Sequence, residues 1–187
     1  MKAFTAPVPE QPVQLRPLAA HEVDLHRDVR LRALADAPES FGETHVEAAA
    51  RPRSYWEELT RSVTEPGRHV MFLACEGDEV IGCVYGMLDR ERATGGRVGG
   101  TWVQPAHRNR GVASALLREV FAWARARGLD RLGLWAPAHD AAALALYRRA
   151  GFRATGERRS LPGHSSLWIE AMELHLAGSS AVPGPVE

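Results

Sequence analysis

The sequence predicts a single α/β domain of the α+β kind, with a mixed, mostly antiparallel central sheet of about seven strands and about four flanking helices. Three observations support this prediction. The 187 residues, of which 45% are hydrophobic, suit one domain with a sizeable core. Short apolar or alternating segments recur between turn residues, as strands do. Helical segments also lie between such strands, which is typical of strand–helix–strand units in a mixed sheet.

Charge balance and hydropathy argue against several classes of protein. Lys and Arg together number 23, as do Asp and Glu, so we expect no nucleic-acid partner. No run approaches the roughly 18 apolar residues of a membrane span, and the N-terminus lacks the apolar region of a secretory signal. We therefore expect no membrane contact and a cytoplasmic location. The eight histidines lack ligand spacing and two cysteines do not make a zinc site, so no metal is expected.

The first third of the chain is predicted to form one strand and two helices. Residues 13–18 alternate as a short strand, and 21–37 carry apolar residues at helical spacing. A second helix is predicted over 54–63, because Ser54 followed by Glu57 three residues later fits a capping box.

The middle of the chain is predicted to form three antiparallel strands. Segments 69–75 and 79–88 pair around a two-residue turn at Gly77 and Asp78, and 97–105 follows a second glycine-rich turn.

Both cysteines fall in the first of these hairpins. A regular two-residue turn pairs Cys75 with Val80 and Cys83 with Phe72, which puts the two thiols on opposite faces of the sheet. We therefore expect two buried, unlinked cysteines.

The last third is predicted to alternate helices and strands. Helix 112–127 has an apolar stripe, and Gly128 is a typical residue just past a helix end. The remaining elements are a strand over 130–137, a helix over 140–150, and strands over 152–157 and 165–174. The domain thus covers 13–176, and we expect mobile tails at 1–12 and 177–187, which show no periodicity.

Residues that suit an anion gather before the helix at 112. Arg108, Arg110 and Gly111 precede its first turn. A glycine there lets backbone N–H groups converge, and the first turn presents unpaired donors and the positive end of the helix dipole. The segment therefore predicts a site for a diphosphate, with both arginines adding charge-assisted hydrogen bonds. The alternative is an arginine-rich loop that caps a packing helix without binding a ligand.

This segment resembles the phosphate-binding motif Q/R-x-x-G-x-G/A of the GNAT superfamily of acyl-CoA-dependent N-acetyltransferases. The stretch DAAALALYRRAGF at 140–152 resembles a second landmark of that family, N-x-x-A-x-x-L-Y-x-x-x-G-F. The resemblance covers the order of elements from about 13 to 176. It implies the acyl-CoA N-acyltransferase fold, in which the fourth and fifth strands, here 97–105 and 130–137, are parallel but splay apart.

The resemblance also implies acetyl-CoA as cosubstrate. Its pantetheine arm would lie between the splayed strands, because its amides can satisfy an opened sheet edge. Backbone amides at the helix start would hold the pyrophosphate. The residues implied for the coenzyme are Trp102 and Val103 at the arm, Arg108, Asn109, Arg110, Gly111, Val112, Ala113 and Ser114 at the pyrophosphate, and Asp140 and Ala143 from the second landmark.

Tyr147 lies where the family usually places its general acid. When an amine attacks the thioester, the sulfur leaves as a thiol or thiolate of pKa near ~8.5, and a phenol of pKa about 10 can give it a proton. The Val103 N–H would stabilise the carbonyl oxygen as it gains charge. The alternative is a packed tyrosine whose hydroxyl is bonded to a carbonyl.

The sequence departs from the family at Asp140, where an asparagine is usual. Aspartate is a good N-cap, so we expect capping of the helix that carries Tyr147 to be its main role. A carboxylate cannot donate a hydrogen bond and lies in the same cleft as an anionic ligand, so we expect weaker CoA binding.

The general base is less well defined by the sequence. The segment 35–47 is the predicted wall of the acceptor pocket, and Glu43 is the first choice for the base, with a solvated loop carboxylate as the alternative. The other candidates are Glu39, His45 and Glu47 in that segment, and Tyr85 and Asp89 on the strand before the motif strand.

These residues together predict an N-acetyltransferase that moves an acetyl group directly from acetyl-CoA to a primary amine of a small molecule or protein. Direct transfer is expected because neither cysteine lies near the motif. A non-catalytic acyl-CoA-binding sensor is the alternative, and a nucleotide site at the same helix start predicts that ATP competes with CoA. The resemblance also suggests a homodimer through 165–174, although a core strand has the same apolar face.

Overall fold

A computed structural model describes residues 12–67, 69–89 and 92–176. The predicted tails at 1–12 and 177–187 lie outside this part of the chain, Pro12 excepted. The strands are β1 (Val13–Pro17), β2 (His69–Glu76), β3 (Glu79–Leu88), β4 (Gly95–Val103), β5 (Arg131–Pro137), β6 (Arg153–Leu161) and β7 (His164–His175). The helices are α1 (Val23–Asp36), α2 (His45–Ala49), α3 (Arg53–Thr64), α4 (Val112–Ala126) and α5 (Ala141–Arg149).

The strands form one seven-stranded sheet in the order β1-β2-β3-β4-β5-β7-β6. β4 and β5 run parallel, and every other neighbouring pair is antiparallel. The predicted mixed, mostly antiparallel sheet is therefore confirmed. Within the described residues, no helix is long and apolar enough to cross a membrane.

Helices cover both faces of the sheet. Helices α4 and α5 cover one face of the sheet, and their apolar residues join those of the strands in the largest apolar cluster. Leu116 and Val120 of α4 are fully buried there. Helices α1 and α3 cover the other face, and Val29 of α1 packs there against Leu73 of β2. The apolar stripe predicted for the helix after residue 111 is buried along its length, and helix ends and strands fall close to their predicted positions.

β4 and β5 separate after a short paired stretch. Their register runs from Gly95 opposite Arg131 to Arg97 opposite Gly133, and no further pairing between these two strands is found in the described part of the chain. The rest of both strands therefore borders an opening in the sheet. This is the splay that the family resemblance implied.

A β-bulge on β4 lies beside this opening. Cys83 of β3 pairs with Trp102 and Tyr85 pairs with Gly99, so two residues of β4 oppose one residue of β3. Gly100 has a φ of 56°, and a Cβ on it would lie 2.5 Å from Cδ2 of Tyr85. A glycine is therefore needed both for the left-handed backbone and for the close approach of the tyrosine ring.

The predicted capping box on α3 is wrong. That helix begins at Arg53 after Pro52, and no side chain caps it. The capping box belongs instead to α2, which the sequence analysis missed: Thr44 accepts from the Glu47 N–H, and Glu47 accepts from the Thr44 N–H. Both segments have the Ser/Thr-x-x-Glu pattern, so the pattern alone did not distinguish them.

The predicted cysteine register is half correct. Cys75 pairs with Val80, but Cys83 pairs with Leu73 rather than Phe72, because a bulge at Ile81 shifts the register. The two cysteines consequently lie in the same apolar cluster and not on opposite faces. Both are buried and unlinked, as expected.

Candidate active site

The loop before α4 presents backbone donors in the way that the motif predicts. Gly111 is the N-cap of the helix, in a left-handed conformation with φ 80°, and no side chain caps the helix there. The Ala115 N–H donates to the Gly111 carbonyl at 3.0 Å, so the preceding amides of Val112, Ala113 and Ser114 lack intrahelical acceptors. Unpaired donors of this kind at a helix start favour an anion.

Space beside Gly111 is open. Apart from its immediate neighbours along the chain, a Cβ built on this glycine would meet no atom of the described residues within 4 Å. The preceding Asn109 also has a positive φ, of 62°. The two left-handed residues turn the chain sharply, and the glycine leaves its exposed side free for a ligand to approach the amides.

Both arginines of the motif already have carboxylate partners. Arg108 pairs with Asp36, the last residue of α1, and its Nε donates to the Val103 carbonyl at 3.0 Å. Arg110 donates to Glu76 Oε1 at 3.0 Å, and the other oxygen of Glu76 lies 3.1 Å from Nε2 of His107. These contacts tie the loop to α1 on one side and to the end of β2 on the other.

Val103 lies at the edge of the opening between β4 and β5. Gln104 donates to the Ile81 carbonyl of β3 at 2.8 Å, and N–H groups alternate in direction along a strand, so the Val103 N–H points toward the opening. The adjacent Trp102 is 5% exposed and packs on the opposite face of the sheet, among the residues under α1. Trp102 thus supports β4 from the α1 side, and Val103 presents an amide to the opening.

Tyr147 lies on α5 and is 8% exposed. The centres of the Tyr147 and Phe152 rings are 5.9 Å apart, and the two rings are arranged edge to face. Burial raises the pKa of the Tyr147 phenol, the nearby Asp140 carboxylate raises it further, and interaction with the Thr101 hydroxyl opposes the shift. Thr101 is in the bulge of β4, although its oxygen makes no hydrogen bond of good geometry within the described residues. A protonated phenol therefore lies close to the edge of β4 where the sheet opens.

Asp140 caps α5, as predicted. Its Oδ1 accepts from the Ala143 N–H at 2.9 Å. Asp140 and Ala143, which the second landmark assigned to the coenzyme, are therefore joined to each other by this capping bond. The bond lies at the N-terminal end of the helix that carries Tyr147.

Glu43, the first choice for the general base, is shared by two arginines. Its carboxylate oxygens lie 3.4 Å from Nη2 of Arg30 and 3.6 Å from Nε of Arg51, and its side chain is 20% exposed. These guanidinium groups face the lone pairs that would receive a proton from an amine.

The segment around Glu43 reaches across to the C-terminal half of the sheet. A Cβ on Gly42 would lie 3.1 Å from Cβ of Pro162 in the β6–β7 turn. Glu39 lies 3.7 Å from His139, in the loop before α5. The segment therefore lies close to the β6–β7 turn and to the loop before α5, and its role as the wall of an acceptor pocket stays a prediction.

The other candidates for the base are dispersed. The Glu47 carboxylate takes part in the capping box of α2, and His45 is exposed on the same short helix. Asp89 follows β3, and its N–H donates to the Gly95 carbonyl at 2.9 Å. Of these candidates, Tyr85 has the closest contact with the β4 bulge, through its ring at Gly100.

A buried polar chain beside Tyr85 was missed by the sequence analysis. His26 of α1 is fully buried, with Nδ1 2.9 Å from Thr60 Oγ1 and Nε2 2.7 Å from the Tyr85 hydroxyl. Burial, and to a lesser degree the charge of Arg30, lowers the pKa of His26 to about 4. Burial also raises the pKa of Tyr85, so all three groups are neutral near pH 7. The available signal was a polar residue on the otherwise apolar face of both α1 and α3.

Comparison with known proteins assigns the family. The model described as "Acetyltransferase (GNAT) family" matches residues 31–152. The chain is 35% identical over 106 residues to an aminoglycoside N(6')-acetyltransferase type 1 of Stenotrophomonas maltophilia, with 53% of this chain and 69% of that protein covered. It is 51% identical over 51 residues to a mycothiol acetyltransferase of Clavibacter michiganensis, with 27% of this chain and 17% of that protein covered.

Solved structures share the fold at low sequence identity. An acetyltransferase of the GNAT family from Streptococcus pneumoniae superposes with a TM-score of 0.72 at 20% identity, over 89% of this chain and 100% of that one. A spermidine N-acetyltransferase from Vibrio cholerae, in complex with CoA and spermine, superposes with a TM-score of 0.69 at 16% identity, over 88% of this chain and 95% of that one. With the splayed sheet and the open helix start in place, the family match has a structural basis: the chain belongs to the GNAT family of acetyltransferases.

Proposed function

We propose that this acetyltransferase binds acetyl-CoA in the opening between β4 and β5 and passes the acetyl group directly to a primary amine. One observation carries the proposal: β5 leaves β4 after Arg97, and the Val103 N–H points into the resulting opening. Tyr147 lies beside Thr101 of β4, and the donors of α4 follow the end of that strand. A thioester held by the strand edge would lie between a hydrogen-bond donor and an acid.

The chain's residues fit the coenzyme. Amides of a pantetheine arm can pair with the backbone of β4 where β5 has departed, because an opened strand edge needs donors and acceptors. A diphosphate suits the amides of Val112, Ala113 and Ser114 beside the open side of Gly111. The backbone contributes most of this site, since Arg108 and Arg110 pair with carboxylates of the chain.

The acyl transfer needs three contributions from the chain. The amine nitrogen attacks the thioester carbonyl carbon, and the Val103 N–H stabilises the oxygen as it becomes negative. The carbon–sulfur bond then breaks, and the sulfur takes the Tyr147 proton. The raised pKa of Tyr147 keeps the phenol protonated at neutral pH, and solvent returns a proton to it after the thiol has formed. The amine loses its own proton to solvent or to a carboxylate, with Glu43 as our candidate.

Tyr147 also separates catalysis from mere coenzyme sensing. A sensor needs the amides of β4 and α4 but has no need of a buried phenol beside the strand edge. Together with the acetyltransferase family match, the tyrosine supports an enzyme.

Amine-dependent release of CoA tests the proposal. The purified protein is mixed with acetyl-CoA and a thiol reagent, and then with an aminoglycoside, spermidine, free amino acids or peptides with a free N-terminus. The first two follow from the names of similar proteins, and the others sample the remaining acceptor classes. We expect thiol release with at least one class of amine and an acetylated product by mass spectrometry. Binding of acetyl-CoA without transfer to any amine in a broad panel would favour the sensor instead.

A further inference from the structure

The negative charge of Asp36 is not stabilised by the helix that carries it. It is the last residue of α1, and the last turn of that helix carries no basic residue. A carboxylate at a helix C-terminus faces the negative end of the dipole, which is unfavourable. Its side chain is nevertheless only 20% exposed, so partners elsewhere must stabilise it.

Those partners are both in the coenzyme region. Oδ2 of Asp36 accepts from the Trp102 indole Nε1 at 2.9 Å and from Nη2 of Arg108. The Arg108 Nε in turn donates to the Val103 carbonyl at 3.0 Å. One carboxylate therefore holds the end of β4 through Trp102 and the first residue of the phosphate motif through Arg108.

The same contacts close the short turn between β4 and α4. Arg108 is five residues after Val103, and within the turn the His107 N–H donates to the Gln104 carbonyl at 2.9 Å. With its guanidinium fixed at both Asp36 and Val103, Arg108 sets the distance between the strand edge and the helix start. A planar guanidinium offers donors on separate nitrogens in a fixed arrangement, whereas a lysine ammonium donates from a single nitrogen on a flexible stem.

We propose that Asp36 is a positioning residue of the coenzyme site. It acts through Arg108 and Trp102 to hold the Val103 amide and the amides of α4 in one arrangement before acetyl-CoA arrives. The inference rests on the proposed function, because that function supplies the ligand which both sets of amides bind. It also changes the role expected of Arg108, from a phosphate ligand to a brace for the loop.

The two roles of Arg108 predict opposite effects of Asp36→Ala. If Arg108 braces the loop, losing its carboxylate loosens the site, and the dissociation constant for CoA rises about tenfold. If Arg108 is a phosphate ligand, the same change frees its guanidinium, and CoA binds equally well or more tightly. The control is Asp24→Ala, since Asp24 is also on α1 and pairs with Arg53 at 2.8 Å, away from the loop. Calorimetry should show this control within about twofold of the wild type.

Two further readouts separate positioning from a general loss of structure. Asp36→Ala should add little to the weaker CoA binding of Arg108→Ala, because the two residues act as one unit. The indole N–H resonance of Trp102, identified by its disappearance in Trp102→Phe, should move upfield in Asp36→Ala and stay in place in Asp24→Ala. With an acceptor from the amine panel, Asp36→Ala should raise the KM for acetyl-CoA and also lower kcat, because the Val103 N–H that it positions stabilises the carbonyl oxygen during transfer. Asp24→Ala should leave both close to the wild type.

The outcomes distinguish this inference from the function on which it rests. If the wild type binds CoA and Asp36→Ala binds it equally well, the positioning role is wrong and the proposed function stands. If the wild type does not bind CoA, both are wrong.

Discussion

The two halves of the sheet build their sites in different ways. In the C-terminal half, the features that suit a coenzyme are backbone features: the splay of β4 from β5, the left-handed Gly111 and the uncapped start of α4. In the N-terminal half, the features near the predicted acceptor wall at 35–47 are side-chain contacts between distant positions. His26 meets Thr60 and Tyr85, which are 34 and 59 residues away.

This difference explains which features a short motif can specify. A helix start and a strand edge depend on a few consecutive residues, so the same geometry can serve any acceptor. A pocket made of side chains from several elements can change with each substitution. We therefore expect substitutions in the C-terminal half to alter coenzyme binding or the transfer step. Substitutions in the N-terminal half should alter stability or acceptor choice, except at Asp36, whose contacts reach Trp102 and Arg108.

The largest effect is expected from Tyr147→Phe. Removing the hydroxyl removes the acid that protonates the departing sulfur, so kcat should fall about 100-fold or more. The dissociation constant for acetyl-CoA should change little, because the ring and its contact with Phe152 remain. Steady-state thiol release and calorimetry measure the two quantities. Turnover equal to that of the wild type would remove Tyr147 from the mechanism.

In the N-terminal half, His26 should make stability depend on pH. Its pKa is lowered to about 4 in the folded protein, so between about pH 4 and the ordinary histidine value of about 6.5 the unfolded chain binds the extra proton. Stability from this group is therefore full above about pH 6.5 and falls as the pH drops toward 4. We expect a loss of about 2 kcal/mol between pH 7 and pH 5.

Urea unfolding of the wild type and of His26→Gln at both pH values isolates this contribution. The glutamine does not titrate, so the variant should lose about 2 kcal/mol less than the wild type over the same pH change. An identical loss in both proteins would mean that His26 does not titrate as its burial implies.

Gly111→Ala tests the placement of the diphosphate, and Gly156→Ala, in β6, is its matched control. Both glycines have a positive φ, of 80° and 90°, and within the described part of the structure a Cβ on either would meet no atom within 4 Å beyond its chain neighbours. Each substitution should cost about 1 kcal/mol of stability from backbone strain. Only Gly111→Ala should weaken CoA binding, by about tenfold, because its methyl group enters the space where we place the diphosphate. Equal CoA affinities in the two variants would contradict that placement.

The smallest effects are expected at Asp140. Asp140→Ala removes the cap of α5 and should lower the free energy of unfolding by about 1 kcal/mol. Asp140→Asn retains an oxygen for the Ala143 N–H and removes a negative charge near the anionic ligand, so CoA should bind a few times more tightly. Thermal unfolding and calorimetry check the two variants, and weaker binding by Asp140→Asn would show that the carboxylate itself is needed.

The sequence predicted those features that depend on neighbouring residues. The cap at Asp140, the start of α4 after Gly111 and most of the order of elements along the chain are set locally. The capping box was placed at Ser54 instead of Thr44 because both positions carry the same pattern, and Pro52 fixes the start of α3 instead. The bulge at Ile81, which moves Cys83 to the other face, has no local signal.

Partners of the charged residues were the least predictable part of the candidate site. The motif suggested that Arg108 contacts a phosphate, yet its guanidinium meets a carboxylate 72 residues away, on another helix. Glu43 was chosen by its segment, but the two arginines that share it come from different parts of the chain. Such pairs depend on how α1 and the segment 35–47 pack on the sheet, and a single sequence does not contain that packing explicitly. The roles of the individual site residues, the cytoplasmic location and the homodimer remain predictions.

Calorimetric titration with acetyl-CoA, with ATP as the control ligand, tests the central claim most directly. ATP carries a similar polyphosphate but has no pantetheine arm to pair with the edge of β4. We expect acetyl-CoA to bind with a dissociation constant in the micromolar range and ATP to bind far more weakly. Equal binding of both would mean that the start of α4 is a general phosphate site, and no binding of acetyl-CoA would contradict the coenzyme site between β4 and β5.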